Sequence, residues 1–146
     1  VAGPALQAAD ALPAPTAAAA SRGTVLYIED NPVNVMLMEA LLERLDGVRL
    51  IVATTPAQGL QRAHDEQPDL VLLDIQLPDM DGYEVMQRLR ADPACRQIPV
   101  IAVSANAMAV DVQRGMAAGF ADYLAKPLDL PRLLAAVDTA LPRRGG

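Results

Sequence analysis

Apolar residues along the chain are grouped in five short runs that lack the alternation of a half-exposed strand. The runs are TVLYIE at 24–29, VRLIVA at 48–53, DLVLLD at 69–74, IPVIAVS at 98–104 and ADYLAK at 121–126. Helix-like stretches with apolar stripes lie near 32–45, 55–66, 82–91, 106–118 and 128–140. Continuous apolar strands that alternate with helices indicate a parallel sheet covered on both faces. The pattern predicts an α/β domain of the doubly wound (βα)5 type.

Composition excludes several classes of function. The 146 residues are 52% hydrophobic with a net charge of −6, which is typical of one globular domain. Net acidity without a basic cluster argues against nucleic acid binding, because Lys and Arg dominate the affinity for phosphates. No apolar run is long enough to cross a bilayer, so we expect no direct membrane contact. The single cysteine, Cys95, excludes an internal disulfide and fits the reducing cytoplasm.

The two ends of the chain differ from the rest in composition. Residues 1–23 are rich in Ala and Pro, so we expect a disordered linker there. We expect the folded domain over 24–141 and a tail over 142–146. Because the first residue is Val1 rather than methionine, we also expect the chain to be a piece of a longer protein.

Polar side chains close four of the five predicted strands. The first run ends in Glu29 and Asp30, the third in Asp74, the fourth in Ser104 and the fifth in Lys126. Ligands of doubly wound sheets bind outside the carboxyl ends of the strands, so we expect these side chains to converge on one rim. The second run ends without an ionisable group, which favours an edge position for that strand.

Three carboxylates on one rim require a compensating cation. At about 5 Å each pair repels by roughly 3 kcal/mol if the effective dielectric is about 20. Oxygen ligands without His or Cys favour Mg²⁺, which takes one or two carboxylates and keeps several waters. The stretch LPDMDG at 77–82 resembles a calcium loop, but an EF-hand would need acids at Leu77 and Arg88. We expect Asp81 to cap the next helix instead, with Glu84 completing a capping box.

Four segments resemble the receiver domain of two-component response regulators in sequence, order and spacing. They are YIEDNP at 27–32, VLLDIQLPDMDGYE at 71–84, VIAVSANAM at 100–108 and GFADYLAKPLD at 119–129. The resemblance covers about 24–141 and implies a flavodoxin-like sheet of strand order 2-1-3-4-5. It implies that the domain accepts a phosphoryl group in a phosphorelay. The donor would be a histidine kinase or a histidine phosphotransfer domain, and the receiver itself would not be a separate enzyme.

The resemblance also implies a role for each site residue. Asp74 would accept the phosphoryl group, and Mg²⁺ would be held by Glu29, Asp30, Asp74 and the Gln76 carbonyl. The phosphoryl group would contact Ser104, Lys126 and the Ala105 N–H, and Tyr123 would be the aromatic switch of a face built from residues 106–140. Many members carry two aspartates where this chain has Glu29 and Asp30, which leaves the direct metal ligand in place.

Lys126 is the only lysine of a chain that has 12 Lys and Arg residues in total. An ammonium is a compact charge that can pair with a carboxylate before phosphorylation and with phosphate afterwards, whereas a guanidinium fork suits fixed partners. The resemblance implies a cis bond before Pro127, the residue type at which a cis bond is least costly. The single lysine is therefore expected at the reacting centre.

The first helical stretch, PVNVMLMEALLERL at 32–45, is apolar around most of its circumference. We expect its core positions to be Leu37, Met38, Leu41 and Leu45. That leaves Val33, Met36 and Ala40 on an exposed flank beside the acidic site, an apolar excess that is typical of a binding surface. We expect this flank to bind the helical bundle that carries the donor histidine.

The same residues disfavour other classes of protein. A flavodoxin-type cofactor would be repelled by Glu29 and Asp30, and a phosphatase of the haloacid dehalogenase type would need an acid at Gln76. A receiver without phosphorylation, acting only as an interaction module, is disfavoured because every expected site residue is present. The segments EDNPVN and SANAM most resemble receivers of hybrid sensor histidine kinases, with a stand-alone regulator as the alternative. His64 is expected to be exposed, and Cys95 to be incidental in a loop.

Overall fold

The architecture is known from a computed structural model that describes residues 23–141. The strands are β1 (Gly23–Ile28), β2 (Val48–Ala53), β3 (Leu70–Asp74), β4 (Val100–Ser104) and β5 (Asp122–Ala125). The helices are α1 (Pro32–Leu42), α2 (Pro56–Glu66), α3 (Gly82–Ala91), α4 (Ala109–Ala117) and α5 (Leu130–Ala140). Residues 1–22 of the linker predicted over 1–23, and the tail predicted over 142–146, lie outside the described residues, whereas Gly23, predicted in the linker, begins β1.

The strands form one parallel sheet in the order β2-β1-β3-β4-β5. The predicted doubly wound α/β class, its 2-1-3-4-5 order and the edge position of β2 are therefore confirmed. Every residue of β3 and β4 is buried, because helices cover both faces of these central strands. In β1, Leu26 and Ile28 point to one hydrophobic cluster, while Val25 and Tyr27 point to the other.

Three helices are shorter than the sequence pattern predicts by at least two residues. The first ends at Leu42 rather than 45, the fourth begins at Ala109 rather than 106, and the fifth begins at Leu130 rather than 128. Asp129 fixes the start of α5, because its carboxylate accepts the Arg132 N–H at 3.2 Å. Local capping therefore sets this boundary, which hydrophobic periodicity alone cannot locate.

The predicted cap of α3 is half confirmed. The Asp81 carboxylate accepts the Glu84 N–H at 3.0 Å and caps the helix. The capping box is wrong in its second half, because the Glu84 carboxylate instead accepts a hydrogen bond from the Arg88 guanidinium at 3.0 Å. An arginine one turn along the helix competes for the same carboxylate, as expected for an (i, i+4) pair.

The core side of α1 differs from the prediction at one position. Met38 is buried, and Leu41 and Leu45 pack partly buried against the core, as predicted. The prediction for Leu37 is wrong, because 43% of this residue is exposed and Leu42 is buried in its place. Met38 and Leu42 are one turn apart and share a face, whereas Leu37 lies about 100° away from Met38 around the helix axis.

His64 and Cys95 both contact Asp92, which follows α3. His64 is exposed, as predicted, and its Nδ1 lies 2.8 Å from Asp92 Oδ2. Cys95 is buried, and its Sγ lies 3.5 Å from the same oxygen. Burial and the Asp92 charge raise the pKa of the Cys95 thiol to about 11, so it is an unreactive core residue. Within residues 23–141, none of the helices has the length and apolar character that crossing a membrane requires.

Candidate phosphorylation site

The carboxyl ends of the strands bring the predicted polar side chains to one rim. Asp74 and Ser104 are the last residues of β3 and β4. Glu29 follows β1 and continues its ladder, because its N–H donates to the Ala53 carbonyl at 3.0 Å. Lys126 follows β5 in the same way, since its N–H donates to the Ser104 carbonyl at 2.8 Å. The register of the parallel sheet thus positions these four side chains.

The three acids form a compact group of oxygen donors. One carboxylate oxygen each from Glu29, Asp30 and Asp74 lies within 4.8 Å of the others. Glu29 and Asp74 are buried, while Asp30 is exposed, so the group is open to solvent on one side. Carboxylates with access to water suit a hard divalent cation that retains part of its hydration shell. The donor set therefore fits Mg²⁺.

Lys126 lies between the two buried acids. Its Nζ is 3.2 Å from Glu29 Oε1 and 3.3 Å from Asp74 Oδ1. The bond between Lys126 and Pro127 is cis, as the resemblance implies. One ammonium thus has two carboxylate partners, and it compensates only part of their combined negative charge.

Glu29 and Asp74 differ in how readily they carry charge. Burial and the neighbouring Glu29 charge raise the pKa of Asp74, although the Gln76 N–H and Lys126 oppose the shift. Burial also disfavours charge on Glu29, but the Asn31 N–H, Lys126 and Tyr27 together hold the pKa of Glu29 below its usual value. Glu29 is therefore the better-supported anion, and Asp74 is the carboxylate that gains most from added positive charge.

Sequence reasoning missed two residues that hold Glu29 in place. The Tyr27 hydroxyl donates to Glu29 Oε1 at 3.0 Å, and the Asn34 amide donates to the same oxygen at 3.1 Å. Burial and the charge of Glu29 raise the pKa of Tyr27, so this hydroxyl keeps its proton. A signal for Tyr27 was available, because residues two apart on a strand share a face.

The loops after β3 and β4 meet through Gln76 and Ala105. The Gln76 N–H donates to Asp74 Oδ1 at 3.1 Å. The side-chain oxygen of Gln76 accepts the Ala105 N–H at 3.4 Å, so the N–H predicted to contact phosphate is at the site and partnered by Gln76. Ser104 is buried, and its hydroxyl oxygen accepts the Asn106 N–H at 3.0 Å.

Tyr123 is held inside the domain and linked to this loop. Only 8% of it is exposed, and its hydroxyl donates to the Asn106 carbonyl at 2.7 Å. A Cβ on Gly115 would lie 2.5 Å from the Tyr123 ring, so α4 packs directly on this side chain. Tyr123 therefore occupies an inward position in this structure, and its role as the aromatic switch stays a prediction.

The outer face of α1 carries an apolar stripe next to the acidic group. Val33 is 70% exposed, Met36 is 68% exposed, and Ala40 is exposed as well. Leu37 joins them, so the four residues follow an i, i+3, i+4, i+7 pattern along one side of the helix. We call these four residues the α1 stripe. Its exposure agrees with the sequence prediction and extends it by Leu37.

Comparison with known proteins places these observations in a family. The model of the response regulator receiver domain matches residues 25–138. The signal transduction histidine-protein kinase BarA of Shigella flexneri is 44% identical over 111 residues, which are 75% of this chain and 12% of that kinase. The polar-differentiation response regulator DivK of Brucella ovis is 38% identical over 118 residues, which are 81% of this chain and 95% of DivK.

Solved structures agree with the sequence relatives. The receiver domain of the sensor histidine kinase PA1611 from Pseudomonas aeruginosa PAO1 is 35% identical, with a TM-score of 0.73 over 82% of this chain and 97% of that chain. Its crystal structure has a magnesium ion coordinated in the active site cleft. The chemotaxis response regulator CheY4 of Vibrio cholerae, 21% identical with a TM-score of 0.75, shares the fold. The chain therefore belongs to the response regulator receiver domain family of two-component signal transduction.

Proposed function

We propose that Asp74 accepts a phosphoryl group from a histidine residue of a kinase or phosphotransfer domain. The observation that carries this proposal is the pairing of a buried Asp74, at the end of the central strand, with the ammonium of Lys126 at 3.3 Å. In the proposed site, Glu29, Asp30, Asp74 and the Gln76 carbonyl hold Mg²⁺. The oxygen donors of the acidic group and the magnesium site of the PA1611 receiver support this assignment.

The transfer is a displacement at phosphorus. The bond between phosphorus and the imidazole nitrogen of the donor breaks as a bond from Asp74 to phosphorus forms, and the imidazole leaves with the electron pair. A bound Mg²⁺ would supply positive charge to the phosphoryl oxygens. Lys126 can move its contact from the Asp74 carboxylate to a phosphoryl oxygen, and the Ser104 hydroxyl and Ala105 N–H can donate to the others.

Phosphorylation with a small phosphodonor tests the assignment of Asp74. With Mg²⁺ and acetyl phosphate, the wild-type domain should gain one phosphoryl group, measured by intact mass. Asp74→Asn should gain none, because an amide oxygen is a much weaker nucleophile. Asp79→Asn is the matched control, since it removes an exposed carboxylate five residues away and should leave the gain unchanged. A stable phosphoryl group on Asp74→Asn would refute the proposal.

We propose further that the domain works in a phosphorelay and is no enzyme acting on separate substrates, beyond assisting its own phosphorylation and dephosphorylation. The identity to BarA and to the PA1611 receiver supports an origin in a hybrid sensor histidine kinase. DivK, which the match covers almost completely, supports a stand-alone regulator as the alternative. The cytoplasmic location and the absence of nucleic acid and membrane contacts remain predictions from the sequence.

The α1 stripe is the proposed docking surface for the helical bundle that carries the donor histidine. Such a bundle must approach Asp74 from the open side of the rim, and α1 borders that side. A cleft of about 70 Å³ connects the stripe to the site, lined by Tyr27, Asn34, Leu37, Lys126, Pro127 and Leu128. Exposed methionine and valine at helical spacing can pack against the apolar face of a partner helix.

Two donors separate docking from chemistry. Val33→Glu with Met36→Glu should slow phosphotransfer from the histidine-bearing partner at least about tenfold, or about 1.4 kcal/mol. Phosphorylation by acetyl phosphate should be unchanged. Ala57→Glu with Gln87→Glu adds the same charge on exposed positions of α2 and α3 and should not slow the protein donor. Equal rates from the protein donor in the α1 variant and wild type would exclude the surface, and equal losses from both donors would indicate a damaged fold.

The proposed switch runs through the loop after β4. The Ser104 hydroxyl oxygen accepts from Asn106, whose carbonyl accepts from Tyr123, so the site and the face of α4, β5 and α5 share one hydrogen-bonded chain. A phosphoryl group that attracts the Ser104 hydroxyl would shift this chain and the α4 helix packed on Tyr123. Chemical-shift changes upon beryllofluoride addition should extend over residues 106–140. Changes confined to the strand-end loops would indicate a phosphate sink without a switch.

A further inference from the structure

The two oxygens of the Glu29 carboxylate have very different surroundings. Oε1 accepts from three donors: the Tyr27 hydroxyl at 3.0 Å, the Asn34 amide at 3.1 Å and the Lys126 ammonium at 3.2 Å. Oε2 accepts from one donor, the Asn31 N–H at 3.2 Å. A carboxylate oxygen offers about two lone-pair sites. Among the described residues, Oε1 is therefore fully used by the protein, while Oε2 retains capacity for one more partner.

This asymmetry bears on metal choice. Ca²⁺ takes six to eight oxygens and often binds a carboxylate through both oxygens, whereas Mg²⁺ takes six and binds a carboxylate through one. Glutamate reaches further than the aspartate many family members carry at this position, so a free Glu29 could offer both oxygens. The donors on Oε1 remove that option.

We infer that Tyr27 and Asn34 are positioning residues that limit Glu29 to one metal-facing oxygen and thereby make the site discriminate against Ca²⁺. The inference rests on the proposed Mg²⁺ site. Tyr27 is suited to this role because it is fully buried in β1 and cannot turn away from Glu29. Asn34 reaches the same oxygen from the first turns of α1, so strand and helix hold the carboxylate from two directions.

The number of lone-pair sites on Oε1 predicts that removing the Tyr27 and Asn34 donors has non-additive effects on metal preference. With either donor removed, two donors still fill the two sites of Oε1. With both removed, Lys126 alone remains, and one site becomes open to a metal ion. The preference for Mg²⁺, expressed as the dissociation constant of Ca²⁺ divided by that of Mg²⁺, should therefore respond mainly to the double change.

The test is a set of calorimetric titrations of the 146-residue chain with MgCl₂ and with CaCl₂. Tyr27→Phe and Asn34→Ala should each change the preference less than about twofold. The double variant should lower it at least about fivefold, in line with the roughly 10–100-fold effects of outer-shell partners on metal affinity. Tyr83→Phe with Gln61→Ala deletes the same two groups on α3 and α2 and should leave the preference unchanged.

The outcomes separate the inference from the proposed function. An unchanged preference in a folded double variant that still binds Mg²⁺ would overturn the roles of Tyr27 and Asn34 and leave the metal site standing. A wild-type chain that binds no Mg²⁺ would overturn the metal site and the inference together. If the double variant does not fold, Asn34→Ser replaces Asn34→Ala, since it keeps a polar side chain on α1 that is too short to reach Glu29.

Discussion

The charged groups at the strand ends and those on the helix surfaces use the same chemistry at the same distances, but in different surroundings. Lys126 lies 3.2 Å from the buried Glu29, and Arg62 lies 3.1 Å from the half-exposed Glu66. Water and salt screen the surface pair, so either partner can be replaced at little cost. At the rim, burial makes the stability of each charge depend on its ion-pair partners. Removing one partner leaves the other charge buried and uncompensated.

This difference in surroundings distinguishes the functional charges of the rim from the surface charges that keep the protein soluble. On the helix surfaces each of these carboxylates has at least one guanidinium partner: Glu84 pairs with Arg88, and Glu66 pairs with both Arg62 and Arg49. At the rim, one ammonium serves two carboxylates, so a phosphoryl group or a metal ion redistributes all the contacts at once. Before a ligand binds, the negative charge of the rim is only partly compensated. The rim contacts can therefore rearrange when a metal ion or a phosphoryl group binds.

Replacing Lys126 should have the largest effect on stability. Lys126→Met keeps the length of the side chain but leaves Glu29 and Asp74 without their ammonium, so the free energy of unfolding should fall by about 3 kcal/mol without metal. Chemical denaturation in the presence of a chelator measures the loss. Adding Mg²⁺ should stabilise this variant more than wild type, because the metal ion is then the main compensating charge.

Lys126→Arg is the control that keeps the charge. It should retain more stability than Lys126→Met, yet its planar fork cannot exchange a carboxylate for a phosphoryl oxygen as a compact ammonium does. Equal losses in the two variants would show that a positive charge without the compact ammonium does not stabilise the rim.

Replacing the surface residue Arg132 by lysine is the reverse of Lys126→Arg and should have a smaller effect on the free energy of unfolding. Its guanidinium contacts both oxygens of Asp122, at 2.7 and 3.0 Å, and ties α5 to β5. Arg132→Lys keeps the charge and loses the second hydrogen bond, so the free energy of unfolding should fall by about 0.5 kcal/mol. The loss should shrink further in 0.5 M NaCl, whereas the loss in Lys126→Met should persist. A loss above about 2 kcal/mol would show that this exposed pair behaves like a buried one.

The strand ends were predictable from the sequence because they follow from two general rules. Parallel strands of a doubly wound sheet present their carboxyl ends at one rim, and Glu29, Asp74, Ser104 and Lys126 stand at or just beyond those ends. The surroundings of Glu29 were not predicted, since the contact from Asn34 depends on how α1 is rotated. That rotation follows from packing, as the misplaced Leu37 shows.

Contacts between elements distant in sequence were also missed. His64 and Asp92 are 28 residues apart, and their pairing depends on how α2 lies against the end of α3. Helix ends were misplaced for a related reason: the start of α4 depends on one hydrogen bond from the Met108 N–H to the Asp111 carboxylate. Periodicity locates the middle of an element, while single polar contacts locate its ends.

The pair of His64 and Asp92 should give the smallest effect, detectable only through its pH dependence. The hydrogen bond and the charge of Asp92 raise the pKa of His64, so the folded protein binds a proton more tightly than the unfolded chain. The stabilisation is fully present below the unfolded pKa of about 6.5 and is lost as pH rises through the folded pKa. The difference in melting temperature between wild type and His64→Gln should therefore narrow from pH 5.5 to pH 8.

Because His64 is the only histidine, its NMR titration can be followed directly, and Asp92→Asn should lower its pKa. An identical titration in that variant would show that the contact carries no energy in solution, as many exposed pairs do.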